Sequence, residues 1–160
     1  MPPLTQKDRA AQIDKIRQLP AQVESLVKGL TATQLTTHYL PDEWSVAQNV
    51  HHLADSHMNS YIRCKLIATE DRPPLKPYDQ DKWADFADAK GADLTPTLAL
   101  LKSLHMRWVV FWETLPDSAW SRVGIHAENG PMSLDDIVRL YAEHGEAHLD
   151  QITRTLAAGK

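Results

Sequence analysis

WSVAQNVHHLADSHMNSYIRCK, residues 44–65, decides how the chain is read. Ser45, followed three residues on by Gln48, is a capping box: the serine hydroxyl accepts an amide of the first turn and the glutamine reaches back to the cap. At 100° per residue, Val46, Val50, Leu53, His57, Tyr61 and Cys64 fall within about 80° of one another, so the segment is a helix with one inward stripe. A second stripe, about 100° away, carries His52, Ser56, Asn59 and Arg63. A helix that only filled space would give those polar residues to solvent. Both stripes face inward if the helix borders a polar cavity, and Trp44 is placed to pack ahead of it as a hydrophobic staple.

Upstream, Ile13, Ile16 and Leu19 among lysines, arginines and aspartates predict a helix over 5–19, which Pro20 breaks or restarts. Val23, Leu26 and Val27 carry the continuation to a stop at Gly29, and residues 31–42 read as one helical turn and an extended link. Downstream, Arg72-Pro73-Pro74 ends the helix and opens a long crossover to Leu94. Connections of that length inside one domain tend to be functional, and KPYDQDKWADF, residues 76–86, reads as a short helix carrying Trp83 over the mouth of a site.

The third long helix takes Thr95 as cap and Pro96 as its first residue, with Leu98, Leu101, Leu104, Trp108, Val109 and Trp112 as a core face. His105, central on that face, reads as a hydrogen-bonded core histidine rather than a ligand. Alternation at Val123 and Ile125 before Asn129-Gly130 predicts a small hairpin with His126 exposed. The last helix starts at Ser133, has Asp135 and Asp136 in its first turn where the helix dipole favours them, and runs to about Ala158. The result is an all-α chain of four long helices in a single domain, residues 1–160, with 1–19 as an N-terminal helical extension.

With 42% apolar and 24% charged residues, the chain has enough apolar surface to fold without a disulfide or metal. It has no apolar run long enough to cross a membrane and no secretory core near its start, which gives a cytoplasmic expectation. A net charge of -4 with scattered basic residues leaves no electrostatic footprint for nucleic acid. The single cysteine, Cys64, excludes an internal disulfide.

HGEAHLDQI, residues 144–152, puts His144 and His148 four apart, so both rings leave the same side of the last helix, toward its inward face. Two uncompensated imidazoles directed at a core are costly, which argues for a metal between helices. The doublet His51-His52 offers the third donor, and Asp55 and Asp150 are candidate partners for metal-bound rings. Cys64 lies about 18 Å along the helix from His52 and cannot share that ion. Three protein donors with an open position suit a catalytic ion that activates an external water or thiol, since no protein nucleophile presents itself.

The three stretches together, WSVAQNVHHLADSHMNSYIRCKL, PLKPYDQDKWA and HGEAHLDQI, resemble the DinB/YfiT-like superfamily, and most closely its YfiT branch of metal-dependent hydrolases and bacillithiol S-transferases. The likeness runs from about residue 20 to 152. It implies a four-helix bundle with an up-down-down-up course, a homodimer, and one zinc or nickel ion per subunit held by three histidines. The family ligand before the leucine of its His-Leu pair corresponds to His52, and the other two to His144 and His148. The resemblance also implies a small-molecule substrate, met either by hydrolysis or by a low-molecular-weight thiol of the bacillithiol kind. Asn59 and Arg63 are then candidate anchors for that thiol's carboxylates, with Tyr78, Asp79 and Trp83 bordering the pocket. The competing reading is a non-catalytic, stress-related ligand-binding protein that uses the same pocket.

Overall fold

The computed structural model describes residues 2–160. Four long helices carry the fold: α1 (Gln6–Val27), α3 (Val46–Thr69), α6 (Thr95–Glu113) and α7 (Leu134–Ala158). Between them lie the short α2 (Ala32–Thr36), α4 (Gln80–Ala84) and α5 (Ala87–Lys90), a 3-10 turn at Asp117–Ala119, and strands β1 (Pro74–Leu75), β2 (Val123–His126) and β3 (Gly130–Ser133). Reciprocal capping boxes start α1 at Thr5/Asp8, α3 at Ser45/Gln48 and α7 at Ser133/Asp136. Each satisfies two amides that a helix start leaves without intrahelical partners.

Contacts between helices fix the course. Arg9 meets Asp135 and Lys15 meets Glu146, so α1 and α7 run parallel. Asn49 meets His148 and His57 meets His144, so α3 opposes α7. His51 meets Thr97 and His57 meets His105, so α6 runs with α3. The order is up-down-down-up, and the crossover exists because two consecutive long helices share a direction. Gly145 makes the α1/α7 approach possible: a Cβ there would stand 2.8 Å from Leu19 Cδ2.

Two apolar clusters fill the bundle. One gathers Ile16, Ile67, Trp108, Trp112, Leu134 and Ile137. The other gathers Leu19, Val23, Val50, Leu53, Leu101 and Ile152. In three of the four long helices the chain passes from one cluster to the other at a polar level, between Leu53 and Cys64 in α3, Leu101 and Trp108 in α6, and Ala142 and Ile152 in α7. His57, His105, His144 and His148 lie within those intervals and His52 at the edge of its own.

Several expectations are corrected. Pro20 does not break α1, which is continuous for 22 residues; residues 6–19 are the first part of a bundle helix rather than an extension to it. The cap of α6 is Leu94, with Thr95 already helical and its N–H donated to Asp93 Oδ1 at 3.0 Å. The hairpin forms, with Gly130 at a φ of 71° in its turn, and gains a parallel third strand, β1, that pairs Pro74 with Ile125. His126 is buried, its Nδ1 accepting the Glu128 and Asn129 amides. Among the described residues no helix is long and apolar enough to cross a membrane.

Candidate metal centre

His52 on α3 and His144 and His148 on α7 meet at the polar level between the two clusters. His144 Nε2 lies 3.2 Å from His52 Nε2 and 3.2 Å from His148 Nε2. Each ring has its other nitrogen on the far side, and for two of them that nitrogen is held. His148 Nδ1 is 2.8 Å from Asn49 Oδ1. The Asn49 amide group donates to the carbonyls of Ser45 at 3.0 Å and Trp44 at 3.4 Å, which leaves its oxygen as the acceptor. The proton of His148 is therefore on Nδ1, and its Nε2 presents a lone pair to the cluster. His144 Nδ1 lies 3.1 Å from His57 Nε2.

This donor set fits a divalent cation. Nitrogen donors about 2.05 Å from a metal stand about 3.3 Å apart in a tetrahedron and about 2.9 Å apart in an octahedron, which brackets the observed steps. Protons are poor substitutes here. Burial, and then the nearness of His148, pushes His52 down to about 3; burial, then His148 and His52, pushes His144 down to about 2; and burial pushes His148 down to about 4. At neutral pH the three rings are uncharged bases, the form a metal takes.

His51 takes no part. Its Nε2 donates to the Gly91 carbonyl at 3.0 Å and its Nδ1 accepts from the Thr97 hydroxyl at 2.7 Å, so both nitrogens are engaged toward the crossover and α6. Asp55 and Asp150 are not the partners of the cluster rings. Asp150 holds Arg154 at 3.0 Å. Asp55 is half-buried and its carboxyl is raised, by burial and then by Asp88. Asn49 and His57 do that work, and Trp44 adds a wall: its ring centroid is 4.7 Å from that of His52 and 6.2 Å from that of His148, nearly parallel to the latter. Trp44 thus lies over the site instead of stapling α3. Sequence gave one clue to Asn49, a polar residue on the buried side one turn ahead of His52.

The crossover straddles His52. Gln48, one turn before it, donates to the Ala84 carbonyl of α4 at 2.9 Å, and the Ser56 side chain, one turn after it, lies beside the Tyr78 phenol. Burial pushes Tyr78 up to about 12, so the phenol stays protonated. Its ring lies 4.5 Å from that of Trp83. Together with Asn59, Lys76 and Asp79 these rings line a cavity of about 370 Å³. Arg63 borders this region with its guanidinium donating to the Lys76 carbonyl. Cys64 is fully buried, and burial pushes its thiol up to about 12.

A polar layer of histidines in the middle of a helical bundle is the kind of arrangement in which bundle proteins hold a metal between facing helices. The chain belongs to the DinB superfamily, whose sequence model matches residues 15–152. It is similar to "Putative metal-dependent hydrolase YfiT" of Bacillus subtilis (strain 168), 45% identical over 123 residues, 77% of this chain and 68% of that protein. A "Putative metal-dependent hydrolase" of Geobacillus thermodenitrificans (strain NG80-2) is 42% identical over 111 residues, 69% of this chain and 62% of its own length. A solved structure, "YfiT from Bacillus subtilis is a probable metal-dependent hydrolase with an unusual four-helix bundle topology", superposes with a TM-score of 0.91 at 38% identity, over 95% of this chain and 87% of that one.

Proposed function

We propose that His52, His144 and His148 hold one divalent ion, zinc or nickel, and that the protein uses it to hydrolyse a small molecule. The convergence of three uncharged imidazoles at 3.2 Å steps carries this reading, and the relatives named as hydrolases support it. Such an ion supplies Lewis-acid polarisation and lowers the pKa of an external nucleophile. The chain's own residues bind and orient. Cys64 is too buried and too weakly acidic to attack, so the nucleophile comes from outside the protein. Tyr78 and Trp83 offer apolar faces in the crossover cavity, while Asn59 and Asp79 offer polar contacts that orient the substrate.

A second reading, transfer of a low-molecular-weight thiol to an electrophile, draws support from charge. Lys76 lines the cavity and Arg63 is tied to its carbonyl, a cationic edge suited to a carboxylate-bearing thiol. Protein freed of metal and then reloaded with zinc or nickel should be offered ester and amide substrates beside thiols paired with an epoxide or chlorinated aromatic. Turnover that vanishes with chelation and returns with metal is expected, and the productive panel separates hydrolysis from transfer. Trp83→Ala should raise KM and leave metal content unchanged. Tight binding of a ligand recovered unchanged, with no turnover in any panel, would instead favour a non-catalytic binding protein.

The homodimer is proposed on Met106 and Val110, one turn apart on α6 and 65% and 59% exposed. Sedimentation of wild type and of Met106→Glu should show a dimer that the variant weakens; a monomeric wild type refutes it.

A further inference from the structure

One line of hydrogen bonds leaves the metal centre and crosses the bundle. Beyond His144, His57 Nε2 lies 3.1 Å from His144 Nδ1, His105 Nε2 lies 2.9 Å from His57 Nδ1, and His105 Nδ1 lies 2.6 Å from the carbonyl oxygen of Ile16. The line joins α7, α3, α6 and α1. His57 and His105 are 0% and 1% exposed, and Trp108 and Tyr141 stand edge-on against His57. Two polar core rings so enclosed need a reason beyond packing.

The end of the line sets its direction. A peptide carbonyl can only accept, so the proton of His105 sits on Nδ1. A neutral His105 then has a bare Nε2, which accepts from His57 Nδ1–H. A neutral His57 has a bare Nε2, which accepts from His144 Nδ1–H. Each ring transmits the choice to the next, and the last outcome is a lone pair on His144 Nε2, the atom that faces His52 and His148. His57 and His105 are enclosed in the core, where the uncharged imidazole is the favoured form, and the proton positions along the line are those of that form.

The anchor is itself unusual. A helical carbonyl at position 16 expects the N–H of residue 20, and residue 20 is proline, which has none. Pro20 sits buried inside α1 and leaves the Ile16 oxygen without that donor; His105 Nδ1–H supplies one from another helix. The same contact explains how α1 runs through a proline and how the histidine line acquires a fixed end.

We propose that His57 and His105, anchored on the Ile16 carbonyl freed by Pro20, are positioning residues that lock His144 in the Nδ1–H tautomer and so keep its Nε2 ready to bind the metal. The role is orientation rather than proton export, because the line terminates at a peptide oxygen that cannot pass a proton on. The proposal rests on the metal reading above, but the tautomers exist in the metal-free protein and are measured there independently.

The test has two parts. In metal-free wild type at neutral pH, nitrogen-15 NMR of the histidine rings should show His57, His105 and His144 uncharged and all with the proton on Nδ1; an Nε2–H form or a charged ring at His57 or His144 overturns the proposal. For zinc affinity, His57→Leu strands the His144 Nδ1–H and should weaken binding about 10- to 100-fold, the range for partners of metal-bound histidines. His57→Gln, whose Oε1 can stand where Nε2 stood and accept the same proton, should recover most of that loss. A folded His57→Leu protein that binds zinc as tightly as wild type overturns the proposal; if that variant does not fold, the wild-type tautomers decide alone. Wild type that binds no zinc, with the tautomers as expected, counts against the metal reading and leaves the locked ring standing.

Discussion

Replacing Asn49 by alanine should loosen the metal centre without touching a ligand. Asn49 is fully buried, and its Oδ1 is the acceptor 2.8 Å from His148 Nδ1. Truncation leaves that N–H unsatisfied in the core, at a cost of about 1–3 kcal/mol. The ring escapes the cost by rotating or by moving its proton to Nε2, and either change must be reversed before a metal binds. Zinc affinity should therefore fall about 10- to 100-fold, or about 1.4–2.7 kcal/mol, the same size as the stranded group. Asn49→Asp predicts a different pattern. Its carboxylate accepts from His148 more strongly, but it loses the donors that meet the Ser45 and Trp44 carbonyls and buries a charge. The metal-free variant should melt lower than wild type and gain more in Tm on adding zinc. Competition against a chromophoric chelator, with thermal melts with and without zinc, reads both. A folded Asn49→Ala protein that binds zinc within about twofold of wild type, well inside the loss expected for such partners, refutes the reasoning.

Metal-free protein should lose stability as pH falls below the ordinary histidine value of 6.5: His52, His105, His144 and His148 are held at about 3, 4, 2 and 4, and the unfolded chain takes up their protons first. The stability is whole above 6.5 and falls by up to about 1.4 kcal/mol per pH unit per histidine as pH drops toward the folded values; a melting-derived slope of one proton or fewer contradicts this. Asp135→Ala strips the nearer partner from Arg9, which is 17% exposed, lies over Trp120 and keeps only Asp117 at 3.9 Å, and should cost about 2–3 kcal/mol in urea unfolding, below the fully buried range because water and Asp117 still reach the guanidinium. A loss under about 0.5 kcal/mol would place the pair with ordinary surface bridges. Cys64 should not react with a thiol reagent in the folded protein at mildly alkaline pH and should react fully in denaturant; prompt labelling of native protein contradicts its burial.

What the sequence disclosed was local. Ser45 with Gln48 and Ser133 with Asp136 announce helix starts because both partners of a capping box sit within one turn. The phase of His144 and His148 follows from helical geometry alone. What it hid was reciprocal across helices. Pro20 reads as a break because the rule sees only the lost N–H; the donor that makes the carbonyl comfortable is His105, 89 residues away. His57 falls in the inward stripe by period, but nothing local says that its two nitrogens face different histidines. Asp55 and Asp150 were the obvious acidic partners for the cluster, whereas the ring of His148 takes a neutral amide, whose acceptor role is fixed by two backbone carbonyls. His126 looked like a loop residue because its ring is buried by its own hairpin's amides, a contact made only once the turn closes.

Elemental analysis of protein purified without an affinity tag bears most directly on the three-histidine centre. Wild type should carry about one zinc or nickel per chain, and a His144→Ala, His148→Ala double variant that remains folded should carry none. Wild type without stoichiometric metal after exposure to either ion, or a double variant that holds as much as wild type, would contradict the assignment of His52, His144 and His148.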